Sequence, residues 1–367
     1  MGVHPYSFRV IHISEIGQRV VMVYPEFDVV LYHGGCPDGI VGAWCFWTIT
    51  TKADRDASKL FRGVRHGSLP PYELLAGKKV VIVDFCYPLE EMKDIARVAD
   101  HLTVLDHHDT AMRAIEKLEG ENVTKVFDMA RSGAQIAWDH VNPASTIRPW
   151  FVEIVADRDL WKWEIPHSRE YGTALHHGDW YRFDSIEALN SMTPEQTEDV
   201  KTLLLTQGTL LKSMEEKKVR ICVRYSQLVE FEGYRVRLGH IDSDYRSAAG
   251  NSLNEKGDCD FAATWRYVYE VDQWWISVRA PKDCPIAVNK LCEKYGGGGH
   301  PAACGFAIHG HRSTDIDTAL AKGGLRDYFV PLTEVQRIGS VPLTEVPESI
   351  KELQQKEATE SDPLPSQ

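Results

Sequence analysis

The chain has 367 residues, of which 43% are hydrophobic and 26% charged, and a formal net charge of −12. That length suits two ordinary cores, and the apolar-to-charged balance excludes wholesale disorder and fibrous or repeat architectures. The negative charge argues against a protein that coats nucleic acid electrostatically; a phosphate-bearing substrate stays open, because metal ions and a few basic side chains set the potential inside a cleft.

No stretch approaches the roughly 20 consecutive apolar residues of a membrane-spanning helix. The N-terminal MGVHPYSFRV has no basic region followed by an apolar secretory core, so a soluble, cytoplasmic protein with no membrane partner is expected. The eight cysteines form no CxxC pair and no regular framework, which fits a reducing compartment where most serve as small buried hydrophobes.

Three apolar runs, at 29–31, 79–83 and 102–105, each end in polar residues: HGGCPDGIVGAW, DFCYP and DHHD. Helical patterns lie between them at 40–49 and 89–99, the second with Leu89, Met92, Ile95, Ala96 and Ala99 at helical spacing after Pro88. Strand–helix alternation predicts a parallel sheet flanked by helices, with the ligand site beyond the carboxyl ends of its strands. A helix at 133–140 and a strand or helix at 150–155 lead to a fourth polar cluster, ADRDLWKW.

From Pro194 to about Lys218 the pattern predicts one long connecting helix. The runs VRICVRY, QLVEFEG, YRVRLGHI, DFAATWRYVYE and QWWISVRA then predict a second, largely antiparallel sheet with added helices. From about Thr344 the polar, acidic tail is expected to be disordered.

Asp106-His107-His108 follows a predicted buried strand, and carboxylate and imidazole are good ligands for ions of the Mn²⁺, Mg²⁺ or Fe²⁺ kind. Such a triplet alone is more often a solvated loop. It gains weight from its companions: His33 and Asp38 after the first strand, Asp84 after the second, and Asp157 or Asp159 after the fourth. Carboxylates converging in one crevice resist ionisation unless cations neutralise them, and a pair of ions roughly 3.5–4 Å apart would do so. Gly296 to Gly299 let backbone N–H groups approach a ligand, and a flexible turn is the plainer alternative. Ser132-Gly133-Ala134 could equally be an anion site or an ordinary helix N-cap. The tryptophans are expected in the core.

The order His33, Asp38, Asp84, Asp106-His107-His108, Asp157 resembles the four N-terminal motifs of the DHH phosphoesterase family. SVRA at 277–280 and YGGGGHPAACGF at 295–306 resemble its DHH-associated C-terminal domain, and the match runs over 29–329. The resemblance implies an α/β protein. A parallel-sheet DHH domain with flanking helices spans 25–190, a linker helix 191–219, a smaller α/β domain with a mixed sheet 220–332, and a tail 344–367.

It further implies two divalent metal ions, Mn²⁺ first, with Mg²⁺, Fe²⁺ or Co²⁺ as alternatives. His33 is the expected ligand of the first ion, and Asp84 the bridging and catalytic carboxylate. Asp38, His107 and Asp157 are the expected ligands of the second, with Asp159 the alternative to Asp157; Asp106 and Cys36 are further candidates. His108 is expected to contact the substrate phosphate or leaving group, and Arg279, Gly297, Gly298, Gly299 and His300 to hold a substrate phosphate. The implied activity is hydrolysis of short single-stranded oligonucleotides or nucleotide-like phosphoesters, as in nanoRNases and cyclic-dinucleotide-processing members. A pyrophosphatase or exopolyphosphatase and a non-catalytic nucleotide sensor are the alternatives, and a homodimer stays open.

The first motif departs from the family's Asp-x-Asp-Gly: it reads Cys36-Pro37-Asp38-Gly39. A weakened first metal site with Cys36 beside it is the favoured expectation, since hard ions gain little from a thiolate; ligation by Cys36 is the alternative.

Overall fold

The computed structural model describes residues 8–15, 18–50, 61–281, 283–309 and 330–331. The chain divides into two compact units, Met1–Lys217 and Lys218–Gln367.

The first unit begins with an antiparallel hairpin, β1 (Phe8–Glu15) and β2 (Gln18–Pro25), which the sequence reading did not anticipate. There follow β3 (Val29–His33), α1 (Pro37–Thr48), β4 (Phe61–Val64), α2 (Tyr72–Leu75), β5 (Lys79–Val83) and α3 (Leu89–Val98). Next come β6 (His101–Asp106), α4 (Asp109–Ile115), β7 (Val123–Phe127) and α5 (Gly133–Val141). The unit continues with α6 (Trp150–Asp159), α7 (Ser168–His177), α8 (Phe183–Asn190) and the start of α9 (Pro194–Arg224). Segment 150–155, left open between strand and helix, is therefore helical.

Strands β3 to β7 form one wholly parallel sheet in the order β4-β3-β5-β6-β7. Its central strands read as continuous apolar runs because both faces are covered. Val30, Val81, Val83 and Leu105 pack with α1, α5 and α6 on one side. Leu31, Val80, Ile82, Leu102 and Val104 pack with Met92 and Ile95 of α3 on the other. The strand order reverses between β3 and β5, which opens a crevice beyond their carboxyl ends.

The second unit contains β8 (Gln227–Phe231), β9 (Tyr234–His240), α10 (Arg246–Asn254), β10 (Phe261–Val268) and β11 (Gln273–Arg279). It continues with α11 (Val288–Lys294), β12 (Gly298–His300), β13 (Ala303–His309) and β14 (Val330–Pro331). The sheet order is β12-β13-β11-β10-β9-β8-β14. It is mixed: β9 and β10 pair in parallel, with α10 as the crossover such a pair needs.

Two expectations are corrected here. VRICVRY is not a strand, because α9 continues to Arg224. Val219 and Cys222, three residues apart, join a cluster with Ile241, Ala249 and Leu253, and that helical spacing was hidden behind an apolar–polar alternation. The cysteines are also not all free: Cys292 on α11 and Cys304 on β13 form a disulfide, which no sequence spacing signalled. The tail 344–367 lies outside the described residues. Among the described residues no helix is long and apolar enough to cross a membrane.

Candidate metal centre

His33 is the last residue of β3, and Gly34-Gly35 turns the chain into α1, with Gly35 at φ +81°. Cys36 is the N-cap of α1, Pro37 fills its first position, and Asp38 follows in the first turn. Asp38 crosses to the start of α5: Gly133 N–H donates to its Oδ2 at 2.6 Å, and Ala134 N–H to its Oδ1 at 3.0 Å. Ser132 meanwhile caps α5 in a reciprocal box with Gln135. The N-cap and anion readings of Ser132-Gly133-Ala134 thus hold together, and the anion is the carboxylate of Asp38.

Glycine makes this contact possible. A Cβ on Gly133 would stand 2.7 Å from Asp84 Cβ and 2.9 Å from Asp38 Oδ2.

Asp84 follows β5 and has φ +54°, the left-handed region that a non-glycine residue rarely adopts unless its surroundings hold it there. Its backbone N–H donates to Leu105 O, which ties it to the end of β6. The carboxylate is buried, and neither oxygen meets the geometry of a hydrogen bond. Imidazoles surround it instead: His107 Nε2 lies 3.3 Å from Oδ1, His33 Nδ1 3.5 Å from Oδ2, and His108 Nδ1 3.8 Å from Oδ1.

His107 Nε2 also lies 3.4 Å from Asp159 Oδ2 and 3.7 Å from Asp38 Oδ2. Neighbouring ligands of an octahedral ion with bonds of about 2.1 Å are about 3 Å apart, so these donors need little movement to share a cation. Within the first unit three groups have metal-ligand spacing, His33–Cys36–Asp84, Asp38–His107–Asp159 and Asp84–Asp106–His107–His108, each with its donor atoms within 4.8 Å of one another. With unsatisfied buried oxygens and oxygen–nitrogen donors at this spacing, the residues fit a metal ion.

Electrostatics points the same way. Burial and the charges of Asp84 and Asp159 push the Asp38 carboxyl well above its ordinary range, only partly offset by His107. Burial alone would depress His107 and His108, yet the carboxylates overcome it. Asp84, the carboxylate nearest the His107 ring, with Asp159 and Asp38, takes His107 up to about 10, and Asp106 takes His108 up to about 9. The cluster demands positive charge. Burial, followed by Asp84, Asp159 and Asp38, likewise raises the Cys36 thiol.

Sequence favoured Asp157 as the ligand, with Asp159 as the alternative; in the structure Asp159 lies 3.4 Å from His107, and Asp157 is turned away. They sit two residues apart at the end of α6, so they leave the helix in different directions. Asp157 accepts from Glu164 N–H at 2.9 Å and from the Ser168 hydroxyl, which fastens the loop to α7. Asp106 is chiefly an organiser: its Oδ1 accepts from His107 N–H at 2.7 Å and His108 N–H at 3.2 Å, and pairs with His108 Nδ1 at 2.7 Å. Its Oδ2 is buried and accepts no hydrogen bond. Sequence reasoning missed His66, which follows β4 and whose ring centroid lies 5.4 Å from that of His33. The only signal was a lone His-Gly pair after a four-residue strand.

In the second unit, Arg279 pairs with Ala303, and Ala303 pairs with His300, so Arg279 and His300 share one cross-strand row. Arg279 donates to Ser247 Oγ at 2.7 Å and to Val278 O at 2.8 Å. The glycine run is more ordered than expected. Gly296 and Gly297 donate their N–H groups to Glu293 O and Cys292 O at the end of α11, which corrects the expectation that the Gly297 N–H faces phosphate. Gly298 and Gly299 belong to β12, the terminal strand of the sheet.

No family model matches the chain. An uncharacterized protein, R106, of Acanthamoeba polyphaga mimivirus is 26% identical over 313 residues, covering 82% of this chain and 72% of that protein. Among solved structures, the DHH domain of a member of the s1p family of ribosomal proteins superposes with a TM-score of 0.50. The two are 14% identical, and the match covers 76% of this chain and 82% of that one. This chain has the DHH fold. A pGpG-specific phosphodiesterase from Vibrio cholerae is similar at a TM-score of 0.43 and 13% identity, over 80% of this chain and 95% of that one. Within the DHH fold, the crevice between β3 and β5 is where this chain gathers His33, Asp38, Asp84, His107 and Asp159.

Proposed function

We propose that the protein is a metal-dependent phosphoesterase of the DHH family that hydrolyses phosphodiester bonds in short oligonucleotides or nucleotide-like substrates. The observation that carries this reading is the buried Asp84 carboxylate, lacking hydrogen bonds and flanked by His33 and His107, where the strand order reverses. His33 and Asp84 would hold one divalent ion, Mn²⁺ or a similar cation, and Asp84, Asp38, His107 and Asp159 a second. When bound, such ions would acidify water and neutralise phosphate charge.

The chain's own groups do the rest. Gly133 and Ala134 N–H groups fix Asp38, and strained Asp84 is held by the ends of β5 and β6, so the carboxylates are oriented before substrate arrives. Asp106 engages His108 at Nδ1, so a proton that His108 passes to a departing oxygen is carried at Nε2. Arg279 and His300, in one row, are assigned to a phosphate group of the substrate, for which the planar guanidinium is well shaped.

The test is a panel of a dinucleotide, a cyclic dinucleotide, pyrophosphate and a long single strand, each with Mn²⁺. Turnover of the dinucleotides above the others is expected. Preference for pyrophosphate would move the assignment to phosphoanhydrides, and tight nucleotide binding without turnover of any of the four would make the protein a sensor.

A further inference from the structure

From the His33–Cys36–Asp84 group we infer that the Cys36 sulfur is a direct metal ligand, which makes the two metal positions chemically unequal. The first, with sulfur, imidazole and carboxylate, would select borderline ions such as Zn²⁺, Fe²⁺ or Co²⁺. The second, with Asp38, His107 and Asp159, would accept harder Mn²⁺ or Mg²⁺. The inference rests on the reading of this cluster as a metal centre and reverses the preference drawn from sequence, where Cys36 was a bystander.

Three observations carry it. The Cys36 Sγ, a His33 ring nitrogen and an Asp84 oxygen lie within 4.8 Å of one another. On a tetrahedral ion with bonds of about 2.3 Å to sulfur and about 2.0 Å to nitrogen or oxygen, ligand atoms stand roughly 3.3–3.6 Å apart, so small side-chain adjustments close the set. Asp84, which completes the group, is 1% exposed and neither of its oxygens accepts a hydrogen bond. A buried carboxylate without a hydrogen bond is suited to share a cation with the neighbouring imidazole and the sulfur.

The third observation is the place of Cys36 in the chain. An N-cap side chain ordinarily accepts from the first turn of its helix; the Cys36 thiol, though it faces the Gly39 N–H, makes no full capping hydrogen bond. Its backbone does the work instead: Cys36 N–H donates to His33 O, and Ile40 N–H to Cys36 O. Two ligands are thus fixed by one short turn, and Pro37 immediately after narrows the backbone further. A carboxylate at position 36 would favour harder ions, whereas sulfur shifts which metal the site retains.

The experiment is a Co²⁺ titration of the full-length, metal-stripped chain, followed by the near-ultraviolet sulfur-to-cobalt charge-transfer absorption. The wild-type protein should develop the band. Cys36→Ser and Cys36→Asp should still bind Co²⁺ and lose it, which excludes the other free cysteines as its source. An outer-shell change alone moves metal affinity by about 10–100-fold, so Cys36→Asp should shift the Zn²⁺-over-Mn²⁺ preference toward Mn²⁺ by at least about tenfold. Bound Co²⁺ without the band in wild type, or an undiminished band in Cys36→Ser, overturns the assignment. Hydrolysis without the band sinks the role of Cys36 alone; the band without hydrolysis of any phosphoester sinks the enzymatic reading and leaves the ligand standing. Failure of wild type to bind Co²⁺ at all sinks both.

Discussion

Gly133 donates its backbone N–H to Asp38 Oδ2 at 2.6 Å, so the first turn of α5 holds a carboxylate that belongs to α1. The positive end of the helix stabilises that negative charge where Asp84 and Asp159 would otherwise repel it. Gly133→Ala should therefore act twice. Its methyl group meets Asp84 Cβ and Asp38 Oδ2 below contact distance, and overpacking of this kind costs about 1–3 kcal/mol. The variant should melt lower and bind metal more weakly; unchanged thermal unfolding and metal affinity would show that the two helices part freely.

Asp84→Asn separates fold from chemistry. Asparagine tolerates the left-handed backbone that Asp84 adopts at φ +54°, so the turn after β5 should survive. The charge facing His33 and His107 is lost. Hydrolysis should fall by at least about 10²-fold, the scale on which one electrostatic group acts, while circular dichroism remains native. Near-normal turnover at saturating Mn²⁺ would remove Asp84 from the centre of the mechanism.

The legibility of this protein follows burial. Strands β3, β5 and β6 could be read because a sheet covered on both faces writes unbroken apolar runs, and the polar residue ending each run is the one that reaches the crevice. Strand β4 was missed because FRGV is half exposed and only four residues long, and His66 was missed with it. The preference for Asp157 over Asp159 misplaced the nearer carboxylate, since the choice turns on which side of the α6 terminus each side chain leaves. Nor could spacing reveal that Gly296 and Gly297 spend their N–H groups on ending α11.

Asp157→Ala and Asp159→Ala should have opposite phenotypes. Asp157 ties Glu164 N–H and the Ser168 hydroxyl in a buried position, and leaving those donors unpaired costs about 1–3 kcal/mol. Its variant should lose stability. Asp159, with its side chain 29% exposed and 3.4 Å from His107, should lose metal affinity by about tenfold or more with little change in melting. Isothermal metal titration alongside thermal unfolding separates the two, and reversed phenotypes would return the ligand role to Asp157.

The last prediction concerns protons. Burial opposes charge on His107, but Asp84, Asp159 and Asp38 prevail and raise its pKa from the ordinary range near 6.5 to about 10. At neutral pH the metal-free ring therefore carries its proton, whereas a metal ion takes the neutral ring. Metal binding should release close to one proton from His107, and apparent affinity should climb with pH, by up to about tenfold per unit, until about pH 10. The stability sign follows from the same shift. A histidine whose folded pKa is raised stabilises the metal-free fold fully below its unfolded pKa of about 6.5, and that contribution is lost as pH rises through about 10. Chelated protein should accordingly weaken from neutral toward alkaline pH, while metal-loaded protein, whose ring is already neutral, should show a flatter profile over that window. Calorimetric metal titration at fixed pH in buffers of different ionisation enthalpy counts the protons directly. Binding heats independent of the buffer would mean that His107 is already neutral in the metal-free protein, and that the crowding of Asp38, Asp84 and Asp159 is relieved in some other way.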